Sequence, residues 1–183
     1  MTYISLLRGV NIGKKQMKMA VLKQLYESMG LENVQTYVQS GNVIFESKKG
    51  NVKELEELIG KQIEHEFGFT AEVLIRTPEE LWHILETNPF LGKKDVDTTR
   101  LYVTFLTGEP SASARGKVGS FKSDPDEFEV IGTEIYLHCP VGYGITKLSN
   151  TFFEKKLGLV ATTRNWRTVN MLSGIAEGRG PQK

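Results

Sequence analysis

Cysteine is almost absent from this chain: Cys139 is the single one in 183 residues. One thiol cannot close an intrachain disulfide or form a CxxC motif, so the composition fits a reducing compartment, and a cytoplasmic setting is expected. Histidine is nearly as scarce. His65, His83 and His138 fall in what read as two helices and a strand with no ligand spacing between them, so neither a metal site nor a cofactor is expected. Charge of one sign is lacking too, since 23 Lys and Arg oppose 22 Asp and Glu for a net +1. No global field therefore draws the chain to nucleic acid or to an anionic membrane, and any anion site must be local. No apolar run approaches the roughly 20 residues of a membrane span. The opening MTYISLLRG has no basic region ahead of its short apolar run and meets Arg8 early, so it is expected not to be a signal peptide. A Walker loop and a dinucleotide fingerprint are also missing. Glu54, Glu56, Glu57, Glu64 and Glu66 crowd one helix as a solvated face, and no pair of catalytic acids emerges.

What is present is ordinary globular material, 39% hydrophobic and 25% charged, long enough for a substantial core in one domain or two small ones. TYISLL, Thr2 to Leu7, reads as a strand. Leu22, Leu25, Tyr26 and Met29 recur at helical spacing, with Gly30 placed as a left-handed cap and Leu31 packing back. NVQTYVQSGNVIFES, Asn33 to Ser47, predicts a hairpin turning at Ser40-Gly41-Asn42, where glycine can take positive φ. Asn51 caps the next helix, which carries Leu55, Ile59, Ile63 and Phe67 before Gly68. Ala71 to Thr77 returns as a strand, completing βαββαβ. Thr77-Pro78-Glu79-Glu80 then opens a helix with a capping box, and Asn88-Pro89 ends it.

The second half starts again. LYVTFL, Leu101 to Leu106, matches TYISLL position by position, with Tyr102 on Tyr3 and Thr104 on Ser5. Ser111 to Phe121 holds a short helix, Glu127 to Cys139 a hairpin turning at Gly132, and Leu148 to Leu157 a helix closed by Gly158. A short strand from Leu159 to Thr162 and a final helix from Arg164, carrying Trp166, Val169 and Leu172 on one face, finish the chain. The expected fold is α+β, two tandem ferredoxin-like βαββαβ units with an additional C-terminal helix. The boundaries fall at 1–90 for the first half with its linking helix and 91–183 for the second half.

In such a unit the first βα loop and the hairpin tip share one end of the sheet. Arg8, Asn11, Gly13, Lys14 and Lys15 would then lie near Ser40, Gly41 and Asn42, gathering guanidinium, ammonium, amide and backbone donors into an oxyanion cradle. The same residues also satisfy a tight turn and the solvated start of a helix, and the sequence leaves both readings open. The matching loop of the second half, Thr107 to Ser113, carries Glu109 and no cation. A second constellation, TTRNWRT, sets Arg164, Asn165 and Arg167 in the first turn of the last helix, where basic residues oppose the dipole unless an anion or an acidic partner compensates. Structural pairing of both arginines with nearby carboxylates around a buried Trp166 accounts for it equally.

Taken together, LLRGVNIG, YVQSGNVIF, the Asn88-Pro89-Phe90 stop, and NTFFEKKLG leading into TTRNWRTVNML make the chain similar to the bacterial family known as domain of unknown function 1697, from about Tyr3 to Leu172. The resemblance implies a tandem pair of ferredoxin-like units and supplies no substrate, because the family's biochemical function is not established. The family usually has a second glycine where this chain has Lys14, which adds a charge. Three functions compete. The first is binding of a small phosphorylated or carboxylated ligand at Arg8, Asn11, Gly13, Lys14, Ser40 and Asn42, joined by Arg164, Asn165 and Arg167. The second is hydrolysis of acyl phosphates or phosphoesters, by fold analogy with acylphosphatases. The third is an RNA or protein interaction module presenting Tyr37, Phe45, Tyr102 and Tyr136, with the near-neutral charge weighing against nucleic acid. Whether the chain is an enzyme, and its oligomeric state, are not legible.

Overall fold

The computed structural model describes residues 1–179, which form an α+β protein with two four-stranded antiparallel sheets and six α-helices. The chain divides into two compact units, one made of Met1–Trp82 with the segment from Met171 onward, the other of His83–Asn170.

In the first unit, β1 (Thr2–Arg8), β2 (Glu32–Tyr37), β3 (Asn42–Glu46) and β4 (Glu72–Arg76) stand in the order β2-β3-β1-β4. β1 is central: Leu6 pairs with Asn42 on one side and with Leu74 on the other. α1 (Met19–Ser28) and α2 (Val52–Phe67) supply Leu22, Tyr26, Leu55, Ile59 and Ile63 to a core shared with Tyr3, Leu7 and Phe45. The period of two in β1 puts Tyr3, Ser5 and Leu7 on this face, and each large apolar side chain withdrawn from water contributes about 1.5–3 kcal/mol.

The helix signals act as their chemistry dictates. Gly30 takes φ +76° after α1, and the Leu31 amide reaches back to the Tyr26 carbonyl at 3.3 Å, so the chain reverses and buries Leu31. Asn51 caps α2 by accepting from the Glu54 amide and donating to its carboxylate at 2.9 Å. The Thr77–Glu80 box is reciprocal, with the Thr77 amide donating to Glu80 Oε2 at 2.7 Å, and opens α3 (Pro78–Glu86).

The second unit repeats the order: β5 (Leu101–Leu106), β6 (Glu127–Ile131), β7 (Glu134–His138) and β8 (Ala161–Asn165) stand as β6-β7-β5-β8. α4 (Ala112–Gly119) and α5 (Asn150–Leu157) cover a core of Leu106, Ile135, Leu137, Leu148 and Phe153. The hairpin turns at Gly132 with φ +59°, and Gly158 closes α5 in the left-handed region.

One boundary needs correcting. The last strand runs Ala161–Asn165 rather than ending at Thr162, so Arg164 and Asn165 belong to β8, and α6 (Trp166–Ala176) begins after them. The strand continues because Arg164 pairs with Val103 and Asn165 with Tyr102 across the ladder. Arg164 is buried, and its guanidinium donates to Thr162 Oγ1 at 2.8 Å and to the Thr163 carbonyl.

Candidate functional site

The first βα loop leaves β1 at Arg8, half-buried and in register with Glu72 of β4. Gly9 and Asn11 both take positive φ, turning the chain twice within three residues. The stretch Ile12–Lys15 then closes on itself: the Lys15 amide donates to the Ile12 carbonyl at 3.1 Å and the Asn11 amide to the Lys15 carbonyl at 2.7 Å. Positive φ at Gly13 alone of the two central residues is the pattern of a type II′ turn. Lys14 stands exposed at its tip, and the Gly13 and Lys14 amides make no hydrogen bond among the described residues.

Asn11 fixes this turn. Its Nδ2 donates to the Gln39 carbonyl of the β2–β3 hairpin at 2.6 Å, while its Oδ1 accepts from the Met17 amide at 2.7 Å. The first loop and the hairpin tip therefore share one rim, as the topology required. Both ends of the Asn11 amide are engaged, so its role here is to position. Lys15 is held as well, donating to the Thr70 carbonyl at 3.2 Å with its ammonium over the Phe69 ring.

The hairpin tip differs from the sequence reading. The turn comprises residues 38–41, and Asn42 is already in β3, fully buried, donating to the Tyr37 carbonyl and to Ser40 Oγ at 2.9 Å. Asn42 thus shapes the hairpin from inside, with the exposed Ser40 as one of its acceptors. Gly41 is needed twice over: its φ is +71°, and a Cβ there would meet Val10 Cγ2 at 2.7 Å and Leu7 Cβ at 2.8 Å. That close approach, with the Leu7 amide donating to the Gly41 carbonyl, seats the hairpin on the end of β1. Val38 also takes positive φ, +51°, a strained conformation for a β-branched residue that sequence reading had no signal for.

The TTRNWRT stretch does other work. Asn165 Oδ1 accepts from the Thr168 amide at 2.8 Å and so caps α6, while Arg167 is exposed on its first turn. Thr163 is a hub that sequence reading passed over: its hydroxyl accepts from Tyr143 at 3.0 Å, donates to Asn150 at 2.6 Å and meets Thr104 at 2.7 Å. At the position matching Thr104, Ser5 meets the buried Tyr26 hydroxyl at 2.8 Å. Burial raises the ionisation of that hydroxyl above its usual 10.0, opposed in part by the Ser5 bond. Cys139 is buried, which pushes its thiol up to about 11 and away from nucleophilic use. Of the aromatics offered for base stacking, Phe45 is in the core, Tyr136 is buried with its hydroxyl 3.1 Å from Thr87, and Tyr102 packs on Tyr143.

Two antiparallel sheets of one strand order, the first with a cation-tipped turn at its rim, define the class structurally: an α+β protein. The chain belongs to the family described as Protein of unknown function (DUF1697), whose model matches residues 1–136. LLRGVNIG, YVQSGNVIF and NPF lie within the matched residues, and TTRNWRT lies beyond them. Among solved structures the chain is similar to the conserved bacterial protein SP0830 from Streptococcus pneumoniae, at 22% identity and a TM-score of 0.71, covering 96% of this chain and 98% of that one. At that identity the likeness concerns fold alone. A comparison with curated proteins finds no match. No helix among the described residues is long and apolar enough to cross a membrane.

Proposed function

We propose that the rim of the first unit binds a small phosphorylated or carboxylated molecule, with Arg8, Gly13 and Lys14 as its donors and Asn11, Ser40 and Asn42 as the residues that hold them in place. The carrying observation is the Asn11 staple, Nδ2 to the Gln39 carbonyl at 2.6 Å and Oδ1 to the Met17 amide at 2.7 Å, which fixes an exposed turn whose two tip amides lack partners. Unbonded amides beside an ammonium suit an oxyanion, which can accept from all of them at once. The contribution of Arg164, Asn165 and Arg167 in this reading is to the second unit's own sheet and helix. We read the repeated order β2-β3-β1-β4 and β6-β7-β5-β8 as two tandem ferredoxin-like units, acting in the cytoplasm. Calorimetric titration with inorganic phosphate and acetyl phosphate tests the site. Loss of one charged hydrogen bond costs about 1.5–3 kcal/mol, so Arg8→Ala and Lys14→Ala should each weaken binding roughly tenfold to a hundredfold. Affinity unchanged in both variants removes the site.

A further inference from the structure

A concavity lies in the second unit, away from the loops singled out above. The loop after α4 and the loop after β7 enclose a cleft of about 350 Å³ lined by Lys122, Asp124, Asp126, Val141, Ile145 and Lys147. That volume falls within the range of roughly 300–1,000 Å³ usual for small-molecule sites. Val141 is 60% exposed and Ile145 74% exposed, so two aliphatic side chains stand in water on the wall of one cleft. They are held there. The Gly142 amide donates to the Cys139 carbonyl at 3.0 Å, and Tyr143, between the two aliphatics, is anchored by its hydroxyl to Thr163. Thr146 donates to Asp126 Oδ2 at 2.5 Å and accepts from the Leu148 amide, pinning one loop to the other.

The charges complete the picture. Asp126 is used by Thr146, but Lys122, Asp124 and Lys147 make no ion pair among the described residues although they line the same cleft. Opposite charges that leave each other unneutralised around an apolar wall match an occupant carrying both charges and an aliphatic body. We propose that this cleft binds a small aliphatic zwitterion of the α-amino acid class, with its carboxylate toward Lys122 and Lys147, its ammonium toward Asp124 and its side chain on Val141 and Ile145. This site does not depend on the anion site of the first unit.

The test is a 1H–15N titration of the full chain with L-leucine, with N-acetyl-leucine and leucinamide as ligands lacking one charge each, and glycine lacking the side chain. Saturable shifts confined to residues 122–126 and 141–147 are expected, at roughly millimolar affinity. Each of the three altered ligands should bind about tenfold more weakly than leucine, by the loss of one charged bond or of the aliphatic contact. Lys147→Gln should narrow the difference between leucine and leucinamide, and Ile145→Ser the difference between leucine and glycine. Both residues are exposed, so these variants keep the fold. Absence of saturable shifts, equal binding of leucine and its capped forms, or equal binding of glycine would overturn the proposal.

Discussion

The loops that follow β1 and β5 occupy the same place in two sheets of the same order, yet they dispose of charge in opposite ways. After β1, Lys14 stands at the tip of a turn stapled to the hairpin by Asn11. After β5, the loop stays close to its own sheet: the Thr107 amide donates to the Val160 carbonyl, Pro110 is buried, and Glu109 pairs with Arg115 at 2.7 Å. One rim offers donors to solvent and the other neutralises itself. A repeated scaffold thus permits a site in one copy without requiring it in the other, because the sheet order fixes where the loops are and not what they carry.

The hairpins give the sharpest way to break that comparison. Gly41→Ala drives a methyl into Val10 and Leu7 at a left-handed position, and should cost about 2–4 kcal/mol in denaturant unfolding. Gly132→Ala, at φ +59° but with nothing within 4 Å of the new methyl, should cost only about 1–2 kcal/mol. Equal losses would mean that the seating of the first hairpin on β1 is not special.

Next come the hydroxyls inside the two cores. Ser5→Ala leaves the buried Tyr26 hydroxyl without its partner and should cost about 1–3 kcal/mol. Thr104→Val, where Thr163 keeps Tyr143 and Asn150, should cost about 1 kcal/mol or less. The same burial gives a pH signature. The folded chain holds the Tyr26 and Cys139 protons to higher pH than the unfolded chain, whose groups ionise near 10.0 and 9.0. Stability is therefore fully present below about pH 9 and falls as pH rises beyond it, approaching about 1.4 kcal/mol per pH unit from Tyr26 alone. Tyr26→Phe should flatten that decline above pH 10; a decline equally steep in the variant would place its origin elsewhere.

The smallest effect belongs to the self-neutralised loop. Glu109→Gln removes an ion pair whose partners are 65% and 40% exposed, so unfolding should shift by less than about 1 kcal/mol. A larger loss would mean that the pair organises the second loop as Asn11 organises the first.

Much of this was legible in the sequence because its signals were local. The Thr77–Glu80 box, the Asn51 cap, and Gly30, Gly68 and Gly158 at positive φ each depend on residues a few places apart. The β8–α6 boundary was not. The ladder pairs of Arg164 and Asn165 with β5 lie about sixty residues away in sequence, and polar residues with helical followers mask a strand. The first rim was half legible: cations and turn glycines could be placed at one end of the sheet, but the bonds from Asn11 to Gln39 and from Lys15 to Thr70 arise only when separate loops meet. The Thr163 hub and the cleft of Lys122, Asp124 and Lys147 left no local trace, because their members come from four separate segments or from two loops.

The most direct measurement follows backbone amide resonances of the full chain during titration with inorganic phosphate. Saturable shifts at residues 8–15 and 38–42, lost in Lys14→Gln, with no saturable shift at residues 107–113, are predicted. Equal or merely linear responses in both loops would contradict the claim that only the first rim receives an anion.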